Sequence, residues 1–345
     1  MSVFSRVAFW AVDSGYAPDL AIRAGIRALC RQRLKDISVS DEHLSQRLQG
    51  FIQDLDRAPV APLVEKANEQ HYEVPARFFE CVLGAHLKYS SAHWDGVDAL
   101  DDAEAQALAL SCDHAGLEDG QDVLELGCGW GSLTLWMAAA YPNSKITAVS
   151  NSASQREFIE SRASERKLTN LEVITADINH LVLDQSFDRV VSVEMFEHLR
   201  NYREIFDRVG AWLKPEGRFF MHIFCHKTIP YFFEDNDGSD WMSRHFFSGG
   251  MMPSADLPLK FQDSLRFERR WDWSGVEYQK TSEAWLGKLD AAYDDVFDIF
   301  SETYGRANAK MWVNRWRVFF MACAELFGMH GGDEWRVCHY LFNKR

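Results

Sequence analysis

Val123-Leu124-Glu125-Leu126-Gly127-Cys128-Gly129-Trp130-Gly131 is a short apolar run that breaks into three alternating glycines. The run reads as a strand and the residues after Gly131 as a helix, so the glycines form the turn between them. Glycine there permits positive φ and lets the backbone approach a ligand with no Cβ in the way. In an open α/β sheet, a turn of this kind after the first strand holds a cofactor at the carboxyl end of the strands. A dinucleotide site would space its glycines Gly-x-Gly-x-x-Gly, with an acid about 20 residues further on for the ribose. Here the spacing is tighter and an acid, Glu125, lies inside the motif, a combination that fits S-adenosylmethionine.

The same alternation continues downstream. Residues 145–149, 171–175, 187–193 and 218–224 read as further strands, with helices predicted over 131–141, 153–167 and 202–213. Strands separated by helices mean βαβ units and a mostly parallel sheet. Residues 1–95 read as a helical region, 96–225 as the Rossmann-like core and 334–345 as its last strand. Between them, 226–333 reads as a lid insertion followed by C-terminal helices. From His226 to about Trp273 the chain is rich in aromatics, glycine and proline, which predicts an irregular lid or binding segment. Two helices are predicted after it, over about 282–303 and 307–328. The expected fold is α/β: a Rossmann-like methyltransferase sheet with a helical N-terminal segment and a helical, aromatic lid.

Composition narrows the partners. The chain has 345 residues, 47% of them hydrophobic, which excludes a mainly disordered protein. A net charge of −14 excludes a nucleic-acid backbone as the main partner. Seven scattered cysteines with no Cys-x-x-Cys pair indicate neither a disulfide framework nor a metal site. No secretory leader is recognisable, and no stretch approaches the roughly 18 apolar residues of a membrane span. The expectation is a cytoplasmic protein without stable membrane insertion; peripheral lipid contact and a homodimer stay open. Arg23, Arg27 and Arg31 recur at i, i+4 on a predicted helix. That row lies either on an anionic membrane surface or on a solvated helix face.

Topology places further cofactor contacts. Besides Glu125, Gly127, Cys128, Gly129 and Gly131, the end of the second strand offers Ser150 and Asn151 to the ribose hydroxyls, with Gln155 one turn along. The third strand ends at Asp177 and Ile178; Asp177 either accepts from the adenine amino group or caps a turn. The fourth ends in Glu194-Met195-Phe196-Glu197-His198, whose acids and imidazole share one face if a helical turn begins there. Two carboxylates and a histidine at the carboxyl edge of the sheet are candidate catalytic groups.

Several longer motifs are read beside these: His71-Tyr72-Glu73-Val74-Pro75, Leu87-Lys88-Tyr89-Ser90, Phe224-Cys225-His226-Lys227, Met252-Pro253-Ser254, Ala324-Glu325-Leu326-Phe327-Gly328 and Glu334-Trp335. With them, from about residue 68 onward, the chain resembles the coclaurine N-methyltransferase branch of the cyclopropane-fatty-acid synthase family. The resemblance implies that Tyr89 and Ser90 reach over the methionine carboxylate of the cofactor. It also implies that Glu197 and His198 lie near the transferred methyl. Lipid synthases of that family hold a bicarbonate ion, whose ligand positions fall here on Cys128, Glu197, His222 and Tyr278. They carry glycine where this chain has Glu194; the amine N-methyltransferases carry glutamate.

The expected reaction is in-line attack on the sulfonium methyl by the nitrogen of a small aromatic or cyclic amine. Glu194 anchors the cation, and Glu197 with His198 accepts its proton. Phe224, Tyr231, Trp241, Trp316 and Phe319 either wall the substrate, with His222 and Tyr278, or pack the core. Two rival readings stand beside it: methylation or cyclopropanation of unsaturated acyl lipids, and a protein that binds the cofactor without chemistry.

Overall fold

The computed structural model describes residues 10–38, 41–62, 74–233 and 241–345; His71, Tyr72 and Glu73 lie outside the described residues. Helices α1 (Asp19–Ile37), α2 (Asp41–Arg57), α3 (Ala76–Val82) and α4 (Leu100–Ala115) precede the glycine-rich strand β1 (Asp122–Leu126). Then follow α5 (Ser132–Ala140), β2 (Lys145–Ser150), α6 (Ala153–Glu165), β3 (Leu171–Thr175), β4 (Phe187–Val193), α7 (Tyr202–Trp212) and β5 (Leu213–His226). A two-stranded ribbon of β6 (Tyr231–Phe232) and β7 (Met251–Met252) flanks the short α8 (Trp241–His245). The chain closes with β8 (Leu265–Trp273), α9 (Gly275–Ala291), α10 (Tyr293–Tyr304), α11 (Arg306–Phe327) and β9 (Trp335–Lys344).

The seven-stranded sheet has the order β3-β2-β1-β4-β5-β9-β8. Strands β3 to β5 in that order are parallel, and β9 runs antiparallel between β5 and β8. Val123, Leu124, Leu126, Val190 and Val191 are at most 1% exposed, as in strands covered on both faces. After β1 the chain builds outward through β2 and β3, then crosses back to β4. The carboxyl ends of β1 and β4 therefore border the crevice where the direction of building reverses.

Three expectations are corrected. The segment 226–273 is not irregular throughout, because Leu265–Trp273 is the edge strand of the main sheet. A register shift between Phe267 and Arg269, and the charges of an edge strand, hide its alternation. The helix expected over 282–303 is two helices meeting at Ala292, and the first begins at Gly275. Asp294 and Asp295 stand in the first turn of α10, where the macrodipole favours acids.

The arginine row is the third. Arg23 donates to Glu283 at 2.6 Å and to Glu325 at 3.1 Å, and Arg27 to Glu325 at 2.9 Å. Two of the three arginines therefore dock α1 onto α9 and α11 rather than facing a lipid surface or open water. Among the described residues no helix is long and apolar enough to cross a membrane.

Gly275 opens α9 against β9. A Cβ there would run into the carbonyl oxygens of Trp335 and Phe327. Gly275→Ala is expected to destabilise the fold by about 1–3 kcal/mol, the usual cost of overpacking. A thermal melt unchanged from wild type would contradict this.

Candidate active site

Two adjoining cavities lie over the carboxyl ends of β1, β2 and β4, and Gly127, Gly129, Gln155, Met195 and His198 line both. Counted out to open solvent, they hold about 640 and about 960 Å³ of empty space.

The glycine turn forms the floor. Gly127, Gly129 and Gly131 all have positive φ, and the amides of Gly127 and Cys128 donate to Val149 O at 3.0 and 3.1 Å. A Cβ on Gly129 would meet no atom within 4 Å beyond its chain neighbours, so the space above it is open to the cavities. Glu125 is 3% exposed and accepts a 2.5 Å bond from Thr134 Oγ1; burial pushes its carboxyl up to about 7.

At the end of β2, Ser150 Oγ donates to Gln155 Oε1 at 2.6 Å. The Gln155 amide nitrogen is buried with no acceptor among the described residues, although the residue borders both cavities. An unused donor there and the open space over Gly129 are what a hydroxyl-bearing ligand on this floor would fill. Ser150, Asn151 and Ile178 line the smaller cavity; Tyr89, Ser90, Glu125 and Cys128 line the larger. Asp177 lines neither, because Asp177 Oδ1 accepts from the Asn179 amide at 2.8 Å and closes a turn.

At the end of β4 the backbone turns sharply. Glu194 has φ +46°, and a 3₁₀ turn over Phe196–His198 follows. Glu194 Oε1 accepts from the Ser91 amide at 2.9 Å and from His222 Nε2 at 3.1 Å, and Oε2 accepts from the Tyr278 hydroxyl at 2.7 Å. Burial opposes its ionisation. The bonds from His222 and Ser91 and the charge of Lys88 outweigh burial and hold the carboxyl below its ordinary range.

Glu197 behaves oppositely. It is fully buried and lines neither cavity, with Oε1 on the Phe224 amide at 2.7 Å and Oε2 without a partner among the described residues. Burial, then the charge of Glu194, drives its carboxyl well up, toward the neutral acid. His198 borders both cavities, stacks on Phe247 with ring centroids 5.9 Å apart, and is pushed down to about 4 by burial. The three groups share one turn but are pushed apart: one carboxyl held down, one driven up, and an imidazole held toward its neutral form.

Of the expected substrate wall, Phe224, Tyr278 and Phe319 line the larger cavity. Trp316 packs instead between Phe78 and Phe246, Tyr231 accepts from Trp335 Nε1 at 3.0 Å, and Trp241 lies against Phe246. His222 stands behind Glu194 rather than in the cavity.

Sequence reasoning missed Trp130, Phe247 and Trp285, which do line it. It also missed Lys88, fully enclosed, whose Nζ donates to Ser90 Oγ and Ser91 O at 2.6 Å each and is pushed down to about 8 by burial. Trp130 stood in view inside the glycine motif. A lysine beside Tyr89-Ser90 carried no sign that it is buried.

A doubly covered parallel sheet, a glycine turn with an internal acid and a buried carboxylate at the end of β4 define an S-adenosylmethionine-dependent methyltransferase. Residues 63–336 match the mycolic acid cyclopropane synthetase family, and the chain belongs to that family. It is 38% identical over 341 residues to (S)-coclaurine N-methyltransferase of Thalictrum flavum subsp. glaucum, covering 97% of this chain and 94% of the relative. It is 31% identical over 271 residues to the cyclopropane-fatty-acyl-phospholipid synthase of Escherichia coli strain K12, covering 78% and 66%. A solved coclaurine N-methyltransferase bound to N-methylheliamine and S-adenosylhomocysteine superposes with a TM-score of 0.94 at 35% identity, over 98% of this chain and 99% of that one.

Proposed function

We propose that this methyltransferase acts on the nitrogen of a small cyclic or aromatic amine, as the coclaurine N-methyltransferases it resembles act on theirs. One observation carries the reading: the carboxylate of Glu194 takes the hydrogen bonds of both His222 and Tyr278. Two of the four groups that would hold a bicarbonate ion are thereby spent on a side chain of like charge, so a second anion is repelled and an ammonium attracted. The cofactor would rest on Gly127–Gly131, Glu125, Ser150, Asn151 and Gln155 and supply an electrophilic methyl.

Glu194 anchors the incoming ammonium and also takes its proton. Transfer from ammonium to carboxylate turns an ion pair into a neutral pair, which a dry pocket favours. Transfer to His198 would only move the charge from the ammonium onto the ring, with no ion pair neutralised. Glu197 lines neither cavity, and burial favours its neutral form. His198 lines the cavity as a neutral imidazole, suited to accept the remaining N–H and so aim the lone pair.

The test is S-adenosylhomocysteine release with a panel of cyclic amines, and separately with vesicles of unsaturated phospholipid. Turnover with amines and none with vesicles is expected; the reverse overturns the reading in favour of the lipid rival. His198→Ala is expected to lower kcat toward an accepted amine by roughly 10- to 150-fold, the value of one hydrogen bond to a charged group, with S-adenosylhomocysteine affinity unchanged. An undiminished kcat would remove the imidazole from the site.

A further inference from the structure

Behind Glu194 the hydrogen bonding does not stop. His222 Nδ1 lies 2.8 Å from His339 Nε2, and His339 Nδ1 lies 2.8 Å from His114 Nδ1. His222 and His339 are 0% exposed and face each other in the β5–β9 register. His114 is 9% exposed on the last turn of α4, its ring stacked on Trp271 of the edge strand at 4.0 Å. Three imidazoles therefore join a carboxylate lining the substrate cavity to the far rim of the sheet. None is needed for packing that a leucine or phenylalanine could not supply, and buried polar groups are retained at a cost.

We propose that this row is a proton path, by which Glu194 exchanges the substrate's proton with solvent while the substrate pocket stays closed. The proposal rests on Glu194 being the acceptor in amine methylation.

Each hop is balanced. With the pocket open, a solvent proton entering at His114 Nε2 first shifts each ring to its other tautomer, and His222 passes the Nε2–H it donates to Glu194 onto the carboxylate, which loses it to the pocket solvent. Once the pocket has closed and Glu194 has taken the substrate's proton, it gives its O–H proton to His222 Nε2, and His222 Nδ1–H passes one to His339 Nε2. His339 Nδ1–H passes one to His114 Nδ1, and His114 Nε2–H releases one to water. One proton leaves, no net charge stays on any ring, and each ring ends as its other tautomer. A solvent proton entering at His114, with another leaving Glu194 through the open pocket, resets the row between turnovers. Restoring the Glu194 charge matters because the attacking nitrogen becomes a cation as the methyl arrives.

The surroundings suit neutral rings. Burial holds His222 down and lowers His339 well below the usual histidine range. Burial also brings His114 to about 4, against the pull of Asp113 and with the repulsion of His93 and Arg269. Lys88 and Tyr278 face Glu194, and Trp273 covers His339 with centroids 4.1 Å apart.

The experiment is the single-turnover rate of methyl transfer from labelled cofactor to an accepted amine, in a bulky buffer at constant concentration. His114→Ala is expected to slow transfer by roughly tenfold, less than the 10²- to 10⁴-fold of a directly acting acid or base. Added imidazole should restore the rate, since it fits the gap left at the rim. His339→Gln keeps a hydrogen-bonding side chain but cannot relay, and is expected to be equally slow and not rescued. S-adenosylhomocysteine affinity should be unchanged in both. A wild-type rate in His114→Ala, or a loss that imidazole does not reverse, overturns the path. If Glu194→Gln is impaired while His114→Ala is not, the path fails and the amine reading stands.

Discussion

Gly129→Val should leave the chain folded but unable to hold its cofactor. A Cβ at this position meets no protein atom within 4 Å, yet the residue borders both cavities. The added isopropyl group therefore enters ligand space and nothing else. Its φ of +51° costs a non-glycine residue about 1–2 kcal/mol, which a thermal melt should register as a shift of a few degrees. The affinity for S-adenosylhomocysteine should fall by roughly 100-fold or more, equivalent to about 2.7 kcal/mol. Gly131 serves as the contrast, since a Cβ there meets Ile159 at 2.6 Å, so its substitution should damage the fold itself. Calorimetry giving Gly129→Val a wild-type affinity would dissociate this turn from the cofactor.

Glu194→Gln should lower kcat/KM toward amines by roughly 10²- to 10⁴-fold, because one side chain supplies both counter-ion and proton acceptor. The amide can still accept from Tyr278 and Ser91, so the turn should survive. Its effect must depend on pH. Where the amine is protonated, the variant lacks both the charge that attracts it and the base that neutralises it. Where the amine is already neutral, only the interaction with the developing cation is lost, and the deficit should shrink. Equal deficits at both pH values would remove Glu194 from the proton transfer, and equal activity of variant and wild type would sink the amine reading.

The sheet could be read from the sequence because β1, β2 and β4 are largely buried and β1 to β4 are short and bounded by turns, so their apolar runs stand clear of the helices. Strand β8 could not. Arg266, Glu268, Arg269 and Arg270 face an exposed edge, and the bulge after Phe267 breaks the period of two. The glycine turn was visible because Glu125 and the three glycines alternate within one short stretch. Glu194, Glu197 and His198 stood out as residue types, but the opposite shifts of the two carboxyls did not, since Glu194 and Glu197 are chemically identical in sequence. What separates them is three donors on one and burial without a partner for Oε2 on the other. Similarly, His114, His222 and His339 are more than 100 residues apart at each step, and only the pairing of β5 with β9 brings them into line.

The conformation of Glu194 bears on how such enzymes diverge. Its left-handed φ of +46° is one that glycine adopts freely and glutamate at a cost of about 1–2 kcal/mol. The family resemblance implies glycine at this position in the lipid synthases. Codons for the two amino acids differ by a single nucleotide. One mutation therefore exchanges a built-in carboxylate for room beside His222 and Tyr278 while the loop keeps its shape, and the reverse mutation does the opposite. A change between a cation-seeking and an anion-holding site then needs no rebuilding of this turn.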